Sequence, residues 1–70
     1  MPKVKVVVDV FGREVKEIEV EKGSKILDLL RELGLIAEEV VVALDGEIVP
    51  EDERIYSDCR LKIISVVSGG

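Results

Sequence analysis

The residues with the most chemical potential in this 70-residue sequence are its last two, Gly69 and Gly70. Neither carries a Cβ, so the pair can lie fully extended and pass through a channel too narrow for any side chain. Val67 and Ser68 lead into them and would thread with them. What such a tail offers an enzyme is the carboxylate of Gly70. A carboxylate at neutral pH is a poor electrophile and must first be activated, most simply as a mixed anhydride with AMP made from ATP. The activated carbonyl can then accept a sulfide or persulfide, giving a thiocarboxylate, or a lysine amine, giving an isopeptide bond. Set against this is the plain reading that a Gly-Gly ending is a frayed terminus or a cloning scar.

Other reactive side chains are few. Cys59 is the single cysteine, and its neighbours Asp58 and Arg60 roughly cancel, so nothing local favours the thiolate. A structural or incidental cysteine is the better reading than a sulfur relay. The sequence has no histidine, no P-loop and no metal-ligand cluster. Glu51-Asp52-Glu53 can steer a basic partner, but such runs are more often solvated loops. Lys3, Lys5, Lys16, Lys22, Lys25 and Lys62 are all potential acceptors of a modifier, and their context singles none of them out.

Composition limits what can position this chemistry. Seventy residues make one domain near the lower limit for unaided folding. With one cysteine and no histidine, neither a disulfide nor a histidine-held zinc supports it, so apolar side chains (47% of the chain) must. Valine is the commonest residue, and β-branched abundance of this kind favours a sheet. The absence of Asn, Gln, Thr, His and Trp beside abundant Glu and Lys is the pattern of proteins from hot environments. A net charge of −5 argues against nucleic-acid or anionic-membrane surfaces and for a protein partner with a basic face. The longest apolar run, Val40 to Leu44, is far too short to span a membrane, which places the expected location in the cytoplasm.

The elements follow from periodicity. Val4, Val6, Val8 and Val10 alternate with Lys3, Lys5, Val7, Asp9 and Phe11, a period of two and hence a strand. Gly12-Arg13 punctuates it, and Glu14 to Val20 alternates again, so the two read as a hairpin. After Lys22-Gly23, Ser24 stands where a helix N-cap belongs. Ile26, Leu29, Leu30 and Leu33 form one stripe on a helix of about three turns, with Gly34 as its stop. Val40 to Leu44, Asp45-Gly46 and Glu47 to Val49 read as a second hairpin with a type I′ turn, ended by Pro50. Arg60 to Val66 is the last strand, with Leu61 and Ile63 on one face and Ile64 and Val66 on the other. One helix then covers one face of a mixed sheet of four to five strands, in the order β-β-α-β-β-β, an α+β chain. Residues 1–66 form the domain and 67–70 a flexible tail. The alternation leaves Val7, Phe11, Val41, Ala43, Ile64 and Val66 on the sheet face away from the helix, and an apolar patch there would be a docking site for a partner.

At this point the sequence resembles the prokaryotic ubiquitin-like β-grasp sulfur carriers. These include the carrier of thiamin thiazole synthesis, the small subunit of molybdopterin synthase and the related archaeal ubiquitin-like modifiers. The resemblance rests on the helix segment Ser24 to Gly34, the hairpin Val42 to Pro50 and the ending Ile63 to Gly70, and it covers essentially the whole chain. The hairpin and the short length look most like the thiamin-pathway carrier. Val66-Val67-Ser68 stands where the molybdopterin subunit usually has prolines, and Ser57-Asp58-Cys59 departs from the family's usual turn before the last strand.

The resemblance implies a ubiquitin-like β-grasp fold and a carrier that acts as a co-substrate and contributes no acid, base or metal. A ubiquitin-activating-type enzyme would adenylate Gly70 with MgATP. A sulfurtransferase or cysteine desulfurase would supply sulfur. An acceptor, whether a thiazole or molybdopterin synthase or a tRNA-thiolating enzyme, would receive it. Two other readings stay open: a protein modifier joined through Gly70 to lysines of target proteins, and a β-grasp interaction domain that ignores its tail. Deleting Gly69 and Gly70 separates the last from the others.

Overall fold

The computed structural model describes residues 2–66. Strands β1 (Lys3–Val10) and β2 (Glu14–Glu21) form an antiparallel hairpin in the register Val4↔Val20 to Val10↔Glu14. A two-residue strand β3 (Ser24–Lys25) leads into helix α1 (Ile26–Glu32), and a 3-10 turn at Ala37–Glu39 leads into β4 (Val40–Leu44). Then come β5 (Glu47–Val49), the two-residue β6 (Arg54–Ile55) and β7 (Cys59–Ser65). The main sheet has the order β2-β1-β7-β4-β5, and β3 pairs with β6 as a separate small sheet. β1 and β7 run parallel while every other pairing is antiparallel, so the sheet is mixed. A parallel pair needs a long crossover, and here the crossover carries α1 across one face.

The alternation read in the valines is the alternation of burial. Val4, Val6 and Val8 of β1 and Leu61 and Ile63 of β7 point under α1, where they meet Ile26, Leu29 and Leu30. All three helix residues are at most 1% exposed, and each contributes about 1.5–3 kcal/mol by leaving water. Ile55, in the polar stretch after Pro50, is buried as well and belongs to the same core. The Asp45-Gly46 turn has positive φ at both residues, as a type I′ hairpin requires.

Two expectations for the helix need correction. α1 spans seven residues, about two turns instead of three. Its N-cap is Lys25 and no side chain caps it, so Ser24 does not play that role. The reason lies far away in sequence. Ser24 and Lys25 are committed to pairing with Ile55 and Arg54. The exposed helix donors are met by the loop after Pro50: Ile26 N–H donates to Glu53 C=O at 2.9 Å and Leu27 N–H to Glu51 C=O at 2.8 Å. At the other end Gly34 stops the helix as expected. With φ of 76°, its N–H donates to Arg31 C=O while Leu35 N–H donates to Leu30 C=O, the paired bonds of a Schellman closure. Among the described residues no helix is long and apolar enough to cross a membrane.

Candidate functional site

Gly70, Gly69, Ser68 and Val67, the residues expected to carry and thread the reactive carboxylate, lie outside the described residues. The structure does define what leads to them. β7 is the central strand, paired along one side with β1 (Val6↔Cys59 to Val10↔Ile63) and along the other with β4 (Val40↔Ser65 to Leu44↔Leu61). It ends at Ser65, five positions before Gly70. Val66 follows with its N–H donated to Glu39 C=O at 3.0 Å, so the chain is held up to that residue.

The face of the sheet away from α1 is open. The registers place Val7, Val41, Ala43 and Ile64 there, in strands β1, β4 and β7. Ile64 is 40% and Val66 55% exposed, while Val7 and Val41 are half-buried. Ala43 is a correction to an exposed patch: it is only 8% exposed. Its single methyl lies in the row Lys62–Ala43–Ile48, between two longer side chains. Ile48 itself, 66% exposed, belongs to the same face and was missed. The signal was present, because a two-residue Asp45-Gly46 turn pairs Ala43 with Ile48 and so fixes their common side.

Phe11 reaches this region by a different route from the strand alternation. β1 ends at Val10, and Phe11 sits in the turn with a left-handed φ of 57°. Its N–H donates to Ile63 C=O at 3.0 Å, and Asp9 Oδ1 accepts from Gly12 N–H at 2.9 Å. Non-glycine residues rarely hold a positive φ. Here the turn places Phe11, 40% exposed, along a groove of about 560 Å³ with Gly12, Arg13, Lys62, Ile63, Ile64 and Ser65. An aromatic ring, two isoleucines and two cations thus line a cleft where β7 ends.

Among the described residues no group of three His, Cys, Asp or Glu side chains could hold a metal, and no charged side chain is buried. Cys59 is half-buried at the start of β7. Burial pushes its thiol up, and the carboxylates of Asp45 and Asp58 push it further in the same direction. The thiol is thus the favoured form at neutral pH, which agrees with a structural residue.

Comparison with known proteins identifies the fold and the family. The chain matches the family model of small archaeal modifier protein 2 over residues 4–67. It is 38% identical over 65 residues to the small archaeal modifier protein 2 of Haloferax volcanii, covering 93% of this chain and 97% of that one. It is 33% identical to the sulfur carrier protein TtuB of Thermus thermophilus, over 81% of this chain and 88% of that one. Among solved structures, a putative molybdopterin converting factor subunit 1 from Pyrococcus furiosus aligns with a TM-score of 0.71 at 27% identity, over 91% of this chain and 99% of that one. A ubiquitin from Caldiarchaeum subterraneum, at 14% identity, shares the fold with a TM-score of 0.73, over 99% of this chain and all of that one. The chain therefore belongs to the small archaeal modifier protein 2 family, among the ubiquitin-like β-grasp sulfur carriers and modifiers.

Proposed function

We propose that this chain is a sulfur carrier whose Gly70 carboxylate is adenylated and then converted to a thiocarboxylate. The observation that carries the reading is the placement of β7, clamped on both sides at the centre of a β-grasp sheet, with Gly69-Gly70 following shortly after it in the sequence. In the first step a Gly70 carboxylate oxygen attacks the α-phosphorus of ATP, and magnesium pyrophosphate leaves. In the second, a sulfide equivalent attacks the acyl carbon and AMP leaves; if the donor is a persulfide, a thiol reductant cleaves the S–S bond of the resulting acyl disulfide. ATP and Mg²⁺ belong to the ubiquitin-activating-type partner, and the chain binds no cofactor of its own. The sulfur comes from a sulfurtransferase or cysteine desulfurase. It passes to an acceptor that builds thiazole or molybdopterin or thiolates tRNA. The open face around Phe11, Val41, Ile64 and Val66 docks the activating enzyme, with Ala43 filling space beneath it.

The family model and the Haloferax relative favour a second reading, because both carry the name of a modifier. In that case a lysine Nζ of another protein attacks the activated Gly70 carbonyl and an isopeptide bond forms. Mass spectrometry of the untagged protein from its own cells distinguishes the two. A free chain with one terminal oxygen replaced by sulfur supports the carrier. Gly-Gly remnants on lysines of other proteins support the modifier. Finding neither across growth conditions overturns both and leaves the interaction domain, whose activity survives deletion of Gly69 and Gly70.

A further inference from the structure

The outer edge of β2 carries information that neither the tail nor the open face uses. Lys22 N–H donates to Pro2 C=O at 3.1 Å, which makes these two a hydrogen-bonded pair of the antiparallel ladder. Counting in twos along the register, Val20, Ile18, Lys16 and Glu14 turn their backbone groups toward β1. Val15, Glu17, Glu19 and Glu21 therefore turn theirs outward. The far side of β1 agrees: Lys5 N–H donates to Asp58 Oδ1 and Phe11 N–H to Ile63 C=O, both on the β7 side. Since β2 is the last strand of the sheet, the outward groups face no other strand.

What flanks that edge is acidic on two sides. Glu17, Glu19 and Glu21 stand at alternate positions, roughly 6.5–7 Å apart along the strand, with Lys5 and Lys3 of β1 directly across from Glu19 and Glu21 and the strand's other side open. Between β2 and α1 runs a groove of about 190 Å³ whose walls include Glu19 and Glu21 from the strand and Asp28 and Glu32 from the helix, with Lys3 as its one cation. The single cation of β2, Lys16, is paired with Glu14 at 3.9 Å. Edge glutamates by themselves discourage pairing of two copies of the chain. Asp28 and Glu32 lie beyond the edge and are not needed for that purpose. Together with the outward backbone groups they describe a slot for an extended, positively charged chain.

We propose that the β2 edge takes up an extended basic segment of a partner protein as a sixth strand. Its backbone pairs with Val15, Glu17, Glu19 and Glu21. Lys or Arg at alternate positions meets the three glutamates on one face, and a cation on the other face meets Asp28 and Glu32. A second copy of this chain fits poorly, because it would set glutamate against glutamate.

The test uses the intact chain labelled with ¹⁵N, and a peptide of alternating lysine and valine as long as β2, at low ionic strength. Slowed amide exchange is expected at Val15, Glu17, Glu19 and Glu21, with shifts at Asp28 and Glu32. An alternating glutamate-valine peptide should produce neither. Glu19→Pro removes an outward donor and leaves the ladder to β1 intact; it should keep a dispersed spectrum and lose the exchange protection. The triple variant Glu17→Gln, Glu19→Gln, Glu21→Gln keeps the shape and removes three exposed charge pairs, so affinity should fall about tenfold. Unchanged affinity in either variant, or shifts centred on Ile64, would overturn the proposal. So would edge amides already protected by a concentration-dependent dimer.

Discussion

At the residue scale, Phe11 and Ile64 have exposed apolar side chains at the end of β7 where the chain leaves the sheet. On the proposed docking, Ile64→Glu should weaken binding to the adenylating enzyme at least about tenfold, a loss of roughly 1.4 kcal/mol. Its urea midpoint should stay near the parent's, because Ile64 is 40% exposed and stands outside the buried core. A chain that unfolds instead would show that Ile64 is core. Phe11→Gly relieves the left-handed backbone while deleting the ring. Unfolding should change by less than about 1 kcal/mol while enzyme binding weakens. Cys59 gives a pH prediction with a definite sign. Its folded pKa is raised above the ordinary 9.0, chiefly by burial. Stability from the neutral thiol is then fully present below about pH 9 and is lost as pH rises through the folded value. Urea titrations from pH 8 to 10.5 should show a fall in stability that Cys59→Ala reduces.

Elements are joined in this chain by backbone groups more than by side-chain pairs. Asp45 shows how. Its left-handed φ of 48° makes the β4–β5 turn. Its N–H donates to Arg60 C=O at 2.9 Å and its Oδ1 accepts from Arg60 N–H at 3.0 Å. Asp58 does the same for β1 through Lys5 N–H. Asp45→Ala should cost about 1–2 kcal/mol, since it loses both the tolerance of positive φ and one hydrogen bond; Asp45→Asn should cost less. Gly34→Ala, at a φ of 76° with open space around the missing Cβ, should cost about 1 kcal/mol through backbone strain alone. Chemical denaturation measures both. The hairpins, helix stripe and glycine stop were legible because each depends on residues adjacent in sequence. The helix start was not legible. Its donors are met by Glu51 and Glu53, about 25 positions away, which made a Ser24 cap unnecessary.

For the whole molecule, the small size limits how much apolar surface can be buried. A hot-environment origin predicts thermal unfolding above the roughly 45–65 °C typical of mesophile domains. Calorimetry of the untagged chain decides it, and a midpoint inside that range counts against that origin. The net charge of −5 coexists with Lys62 and Arg13 in the groove beside Phe11, and with the carboxylates gathered along β2 and α1. Two surfaces of different chemistry therefore lie at different places on one small sheet, one apolar with cations and one acidic with an open backbone edge.

Sequence by itself determined the alternation in β1 and β7 and the apolar stripe of α1, and it supplied the Gly-Gly ending on which the proposed chemistry rests. Each is written in local spacing or residue type. It also made the fold class legible, because alternating strands and a single helix with one apolar stripe call for a helix packed on one face of a sheet. Tertiary structure decided which strands became neighbours. That choice put β7 at the centre and left β2 as an open acidic edge. It also settled the fate of individual side chains on the open face. Ala43 is buried and Ile48 exposed although they are direct partners, because burial there depends on the length of the neighbouring side chains. Phe11 reached the groove through a left-handed turn that strand periodicity does not encode, since the period of two stops where the strand stops.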